Sequence, residues 1–299
     1  ILKKLRDLFP TLFRWYDAKS RVNAMKRLND TIVTLGIPSK FYSPAVMESV
    51  YSYLPVFNGP FVEDLLRAHR ERADLELFIY AKGETLRKTD RDASIFSTFH
   101  QFGNAFYVPY LHTVYVPSAM LSSPFVLLES LAASYGLTGG TLAHEILHGF
   151  SPLWVEKDRT GVKLEWMSDK TWDDYHKRLE CIIDQYDDPN APTGSNYSVM
   201  TLDENYADIA GFELLLEAVK SDPCIKPDAP SAIEGLTNKQ MFYVGRCFKY
   251  CATHDLAYGY YGGGYATFSQ RCNKVLSNFR DFWETFQCQT PSHKLCPQL

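Results

Sequence analysis

The 299-residue chain has no apolar run approaching the ~18 residues that a membrane-spanning helix needs. It also lacks a dominant charge sign. Its 31 Lys and Arg against 35 Asp and Glu give a net charge of −4, so it carries no electrostatic footprint for nucleic acid. Intrinsic disorder is excluded for the whole, because 45% of residues are hydrophobic and 22% charged. No starting Met and no signal peptide are present. Ile1 opens directly into a charged helical pattern, from which we expect a fragment or processed form.

Cys-x-x-Cys spacing is absent as well, which argues against a structural thiolate zinc site. The seven cysteines are Cys181, Cys224, Cys247, Cys251, Cys272, Cys288 and Cys296, and five fall within the last 53 residues. That clustering points to disulfides in an oxidising compartment, the alternative being reduced thiols in the cytosol. The terminal Cys296-Pro-Gln-Leu is a poor prenylation box, with Pro at its second position and no polybasic stretch upstream. Two glycosylation sequons, at Asn29 and Asn196, support secretion weakly.

The apolar spacing predicts an amphipathic helix over 15–35, with Val22, Met25, Leu28 and Ile32 on one face and Gly36 and Pro38 as the stop. More helix is expected over 43–89, with Val46, Val50 and Tyr53, then Val62, Leu65 and Leu66. A polar stretch from Lys82 to Ser94 follows. The runs from Asn104 and from His112 are β-rich and each ends in proline, which predicts a hairpin or edge strands. Helices are expected again over 135–150 and 203–220, and a Gly/Tyr loop from Tyr258 to Tyr265.

The sharpest signal is His144-Glu145-Ile146-Leu147-His148. By composition alone such an HExxH arises roughly once in a hundred chains of this kind. On a helix, residues i and i+4 share a face, so both imidazoles aim at one metal ion. Glu145 projects about 100° round the helix from His144, where it can act as general base toward a zinc-bound water. A catalytic zinc needs a third protein ligand and an open position. Glu204, in Glu204-Asn-Tyr-Ala-Asp208, is the candidate, with Asp208 four residues on as the acid that holds a nearby histidine. The bland reading is two acids at a helix N-terminus, favourable to its dipole.

HEILHGF, followed 56 residues after His148 by ENYAD, resembles the neprilysin and endothelin-converting-enzyme family of zinc endopeptidases. GNAFY at 103–107, LTNKQMFYVG at 236–245 and the surroundings of Cys288 and Cys296 are similar too, and the likeness runs from Trp15 onward. The resemblance implies a mostly α (α+β) fold: a thermolysin-like zinc peptidase core with a small edge-exposed sheet, preceded by helices. It implies a helical segment at 1–95, the end of an upstream lobe, and a catalytic domain at 96–299. Carried over by residue, His144, His148 and Glu204 bind one Zn2+ per chain, Glu145 is the base, and Asp208 is a supporting acid. Asn104 and Ala105 hydrogen-bond the substrate backbone, and Arg271 holds a substrate carbonyl, unless it is a solvated surface charge. Cys181 pairs with Cys296. Cys251 and Cys288 have partners in an upstream helical lobe, and Cys224, Cys247 and Cys272 stay unassigned. The implied substrates are small peptides cut beside hydrophobic residues. The implied place is secreted, or the extracellular side of the plasma membrane.

One departure bears on catalysis. Six residues before Arg271 the family has a histidine that stabilises the oxyanion, and here Tyr265 stands instead. Tyr265 can donate a phenolic proton in its place, or it is simply one tyrosine of the Gly/Tyr loop, or His254 swings in. Ser151 replaces an acid after HGF, and Leu299 replaces a terminal tryptophan. Two functional expectations stand: an active zinc metalloendopeptidase, or a zinc-binding but impaired homologue that binds peptides as a decoy.

Overall fold

A computed structural model describes residues 1–37, 39–82, 103–158, 162–188, 196–252, 264–289, 291 and 295–296. The polar stretch beyond Lys82, most of the Gly/Tyr loop, His254 and Leu299 lie outside the described residues. Twelve helices are followed here. They are α1 Leu2–Leu12, α2 Ala18–Asp30, α3 Pro44–Val50, α4 Phe61–Lys82, α5 Leu131–Ser134 and α6 Gly140–His148. Then come α7 Asp169–Tyr186, α8 Tyr197–Met200, α9 Leu202–Lys220, α10 Asn238–Phe248, α11 Phe268–Ser277 and α12 Arg280–Phe286. The strands are β1 Ile32–Leu35, β2 Phe106–Val108 and β3 Thr113–Val116. The fold is thus mostly helical with a small sheet, as the resemblance implies.

The hairpin forms as expected. β2 pairs antiparallel with β3, Phe106 opposite Tyr115 and Val108 opposite Thr113. The third strand was read as helix. Residues 15–35 split into α2 and β1, which runs parallel to β3 with Ile32 opposite Thr113. The helical face is also rotated from the expected one: Ser20, Ala24 and Leu28 are buried, whereas Val22 is 68% exposed. Polar chemistry sets that phase. Asp17 caps α2 by accepting from Ser20 N at 3.0 Å, and the Ser20 hydroxyl accepts from Ser168 N at 2.9 Å, so a serine goes inside. The sheet order β1-β3-β2 leaves β2 at an edge among the described residues.

In α4 the apolar residues that mark the expected helix are open. Val62, Leu65 and Leu66 are all more than two fifths exposed, as are Leu77 and Phe78.

The core centres on α9, whose run from Asn205 to Leu216 is buried on every side. A helix that is apolar nearly all round belongs in an interior. Gly211 lets α6 come against it: a Cβ there would lie 2.9 Å from the His144 amide nitrogen. On its other side α9 packs against α1. Phe9 and Phe13 of the N-terminal region each reach the Phe150 ring at 5.0 Å, and so fasten the chain just after HEILHG. Burial of each such ring contributes roughly 1.5–3 kcal/mol. Two disulfides add staples. Cys181–Cys296 is the implied pair, and Cys247–Cys272 joins α10 to α11, a pairing the sequence left open. Cys224, Cys251 and Cys288 are free and exposed.

Candidate metal centre and active site

α6 carries His144, Glu145 and His148, and all nine of its residues are buried. Its C-terminal end is held by Arg27, which donates to the carbonyls of Gly149 at 2.6 Å, Trp154 at 2.8 Å and Lys157 at 3.0 Å. A cation there satisfies carbonyls that the helix cannot and complements the negative end of its dipole. α9 begins with Asp203 and Glu204 in its first turn, at the positive end of its own dipole.

The two helices bring three donor atoms together. His144 Nε2 lies 3.0 Å from His148 Nε2 and 3.2 Å from Glu204 Oε2, and His148 Nε2 lies 3.5 Å from Glu204 Oε1. Ligands at tetrahedral angles about 2.05 Å from a common zinc are about 3.3 Å apart. With each Nδ1 turned to an acid, Asp208 or Asp203, the neutral rings present two bare Nε2 lone pairs to each other at 3.0 Å, and a cation between them satisfies both. The donor set therefore fits zinc.

Each ring is oriented from behind. His144 Nδ1 lies 2.9 Å from Asp208 Oδ1, and His148 Nδ1 lies 3.2 Å from Asp203 Oδ2. An acid on the outer nitrogen fixes the tautomer that leaves Nε2 free for metal. Burial opposes charge on His148, yet the carboxylates of Asp203, Glu204 and Glu145 outweigh it and raise its pKa to about 9. The pocket is thus built for positive charge.

Asp208 also anchors two arginines. Arg271 donates to it from Nε at 2.7 Å and Nη2 at 3.1 Å, Arg246 from Nη2 at 2.9 Å, and Tyr250 from its hydroxyl at 3.2 Å. Burial would raise the pKa of Asp208, but Arg271, Arg246 and His144 reverse this and hold it well below the usual range. Arg271 reaches Glu204 as well, at 3.3 Å, and is 8% exposed, so it is no solvated surface charge. Tyr265 lies against it, ring centroid 4.8 Å from the guanidinium carbon. Burial, reinforced by the Glu204 and Glu145 carboxylates against Arg271, raises the Tyr265 pKa and keeps its hydroxyl protonated.

Asn104 is exposed and Ala105 buried, immediately ahead of edge strand β2. β2 and β3 pack against α6, so that edge lies beside the helix of His144 and His148. Tyr107 fixes the strand: its hydroxyl pairs with His112 Nδ1 at 2.7 Å, while His112 Nε2 lies 2.9 Å from the Arg27 carbonyl oxygen.

Sequence reasoning missed Asp203, although it adjoins Glu204. It also missed Arg246, Lys249 and Tyr250, whose i, i+3, i+4 spacing already placed them on one helical face. No pattern in the sequence said that this face meets Asp208.

Residues 104–298 match the model of peptidase family M13. The chain belongs to that family. Curated relatives of this M13 chain include an endothelin-converting enzyme homolog of Locusta migratoria, 25% identical over 293 residues, covering 94% of this chain and 39% of the relative. Human endothelin-converting enzyme 1 is 26% identical over 318 residues, covering 98% and 38%. Neprilysin-1 of Caenorhabditis elegans is 27% identical over 291 residues, covering 93% and 37%. The chain thus spans about two fifths of the length of these relatives. Among solved structures, zinc metalloprotease ZMP1 of Mycobacterium tuberculosis in complex with an inhibitor shares the fold. Its TM-score is 0.74 at 24% identity, covering 96% of this chain and 43% of that one.

Proposed function

We propose that this chain is the catalytic part of a zinc metalloendopeptidase that hydrolyses small peptides. The observation that carries this is the convergence of His144, His148 and Glu204 within 4.8 Å of one another, with Glu145 on the same helix. Zinc, when bound, supplies a Lewis acid for the peptide carbonyl and lowers the pKa of water. Glu145 accepts the proton of the attacking water. Asp203 and Asp208 hold the two imidazoles in register. Tyr265, kept protonated beside Glu204, donates to the oxyanion in place of the family histidine. Arg271 completes that wall, and Asn104 and Ala105 pair with the peptide backbone as an added strand.

On this reading the chemistry resides in 96–299, the catalytic domain, and 1–95 is the helical segment leading to it. The exposed Cys251 and Cys288 await partners in an upstream lobe. Two disulfides, with exposed asparagines at both sequons, support a secreted or extracellular place. No helix among the described residues is long and apolar enough to cross a membrane.

One observation favours a second reading, a zinc-binding homologue of low activity that captures peptides: a tyrosine stands where the family has its oxyanion histidine. Hydrolysis of a quenched fluorescent peptide by the zinc-loaded full-length protein separates the two. We expect turnover that falls ~10²–10⁴-fold in Glu145→Gln. Zinc bound and peptide bound without turnover would establish the second reading.

A further inference from the structure

Lys249 follows directly on α10, and its side chain turns back onto the zinc-binding helix. Its Nζ donates to Thr141 Oγ1 at 3.0 Å. Thr141 lies one turn ahead of Glu145 on α6. Among the described residues this is the one hydrogen bond the amine makes, and no carboxylate there forms an ion pair with it. Lysine on a surface normally carries its charge out to water, but here the amine is drawn inward.

The neighbouring cations are already engaged. Arg246 is held by Asp208 and Tyr250, and Arg271 by Asp208 and Glu204. All three surround one ring. Lys249 Nζ lies 5.1 Å, the Arg246 guanidinium carbon 5.0 Å and the Arg271 guanidinium carbon 5.2 Å from the Tyr250 centroid. Among the described residues, the three cations of this wall share one carboxylate outside the candidate metal set, Asp208. Burial, with Arg246 and Arg271 set against Asp208 and Glu145, lowers the lysine pKa to about 7. An incoming anion would restore the charged form. A desolvated amine with a single neutral partner is costly unless something negative meets it. The residue as a whole is only partly buried.

We propose that Lys249 is a specificity-determining residue that receives a carboxylate of the peptide substrate close to the cleaved bond. The proposal rests on the peptidase reading. At this one position it replaces the hydrophobic preference implied by the family with an acidic one. The carboxylate has two sources, a Glu or Asp side chain or the C-terminus of the peptide.

The test uses the zinc-loaded full-length protein and quenched peptides that differ only in Leu, Gln or Glu at each position flanking the cleaved bond. Each peptide is made as the free acid and as the amide. We expect kcat/KM to favour Glu over Gln about tenfold at one position, in amide and acid alike, if a side chain is read. If the C-terminus is read, the acid is favoured over the amide for every side chain. In Lys249→Met that ratio falls to about one, and Lys249→Arg restores part of it. Ratios are taken within each variant, so any general loss of activity cancels. Affinities of the same peptides for the Glu145→Gln protein, read by fluorescence anisotropy, follow the same order and need no turnover. Absence of turnover with every peptide, with the affinity order intact, would sink the peptidase reading and leave Lys249 as a recognition residue. Equal affinity and equal kcat/KM for Glu, Gln, acid and amide peptides, or an unchanged ratio in Lys249→Met, overturns the assignment.

Discussion

The two histidines of the metal centre occupy equivalent places on one helix, yet they are supported differently. Behind His144 stands Asp208, whose side chain is fully buried and bound by Arg246 and Arg271. Behind His148 stands Asp203, whose side chain is 23% exposed and accepts from the Leu153 amide at 2.9 Å. The inner acid is part of a buried charge network, and the outer acid is tied to backbone at the rim. Removing one member of a buried ion network strands its partners, whereas Asp203 at the rim keeps part of its solvation. The two sides should therefore have similar effects on metal and very different effects on the fold.

The largest expected effect is that of Asp208→Asn. It leaves Arg246 and Arg271 facing a neutral amide and should cost ~3–5 kcal/mol, measured by denaturant unfolding of the zinc-free protein. Because the folded-state pKa of Asp208 is depressed, its contribution is complete above the unfolded carboxylate pKa. It is lost as pH falls toward the folded value, so the gap between wild type and variant should narrow in acid. A loss no greater than that of Asp203→Asn would erase the distinction between the two sides.

Next comes the staple on the inner side. Cys247→Ser with Cys272→Ser frees α10 from α11, the helices that carry the two arginines. A loop of 25 residues predicts a loss of about 3.5 kcal/mol. Unfolding of the double variant under the same conditions checks it, and a negligible change would assign rigidity of the inner side to the Asp208 network alone.

On the outer side, Asp203→Asn should weaken zinc binding ~10–100-fold while shifting unfolding by no more than ~1 kcal/mol. Competition against a chromogenic chelator, set beside the unfolding midpoint, separates the two quantities. The smallest effect is assigned to Ser151→Ala. It removes a hydroxyl that donates to the His148 carbonyl at 2.9 Å and should cost ~0.5–1.5 kcal/mol. A cost above that of Asp208→Asn would show that the rim, not the buried network, anchors the zinc-binding helix.

Much of the centre was legible because its spacing is local. His144 and His148 are one turn apart, as are Glu204 and Asp208, and helical periodicity alone puts each pair on one face. The hairpin was legible through its β-rich runs and closing prolines. Residues 32–35 were not. Their apolar spacing continued the helix before them, and only pairing with β3, some 80 positions along the chain, made them a strand. The phase of α2 was hidden for a related reason, since a buried serine reads as polar until Ser168 and Asp17 are seen to bond it. In α4, apolar periodicity shows which residues share a stripe, not whether a partner covers it.

The sequence by itself determined the groups of the candidate centre: two imidazoles at a spacing that a helix converts into a single face, and the carboxylates of Glu145 and Glu204. Tertiary structure decided what surrounds them. The close approach of α9 to α6 at Gly211 sets Asp203 behind one ring and Asp208 behind the other. The approach of α10 and α11 brings three cations to that wall. Ligand geometry is a matter of one helical turn, whereas the charge around a ligand is summed over every element that folding brings near, and no local spacing encodes that sum.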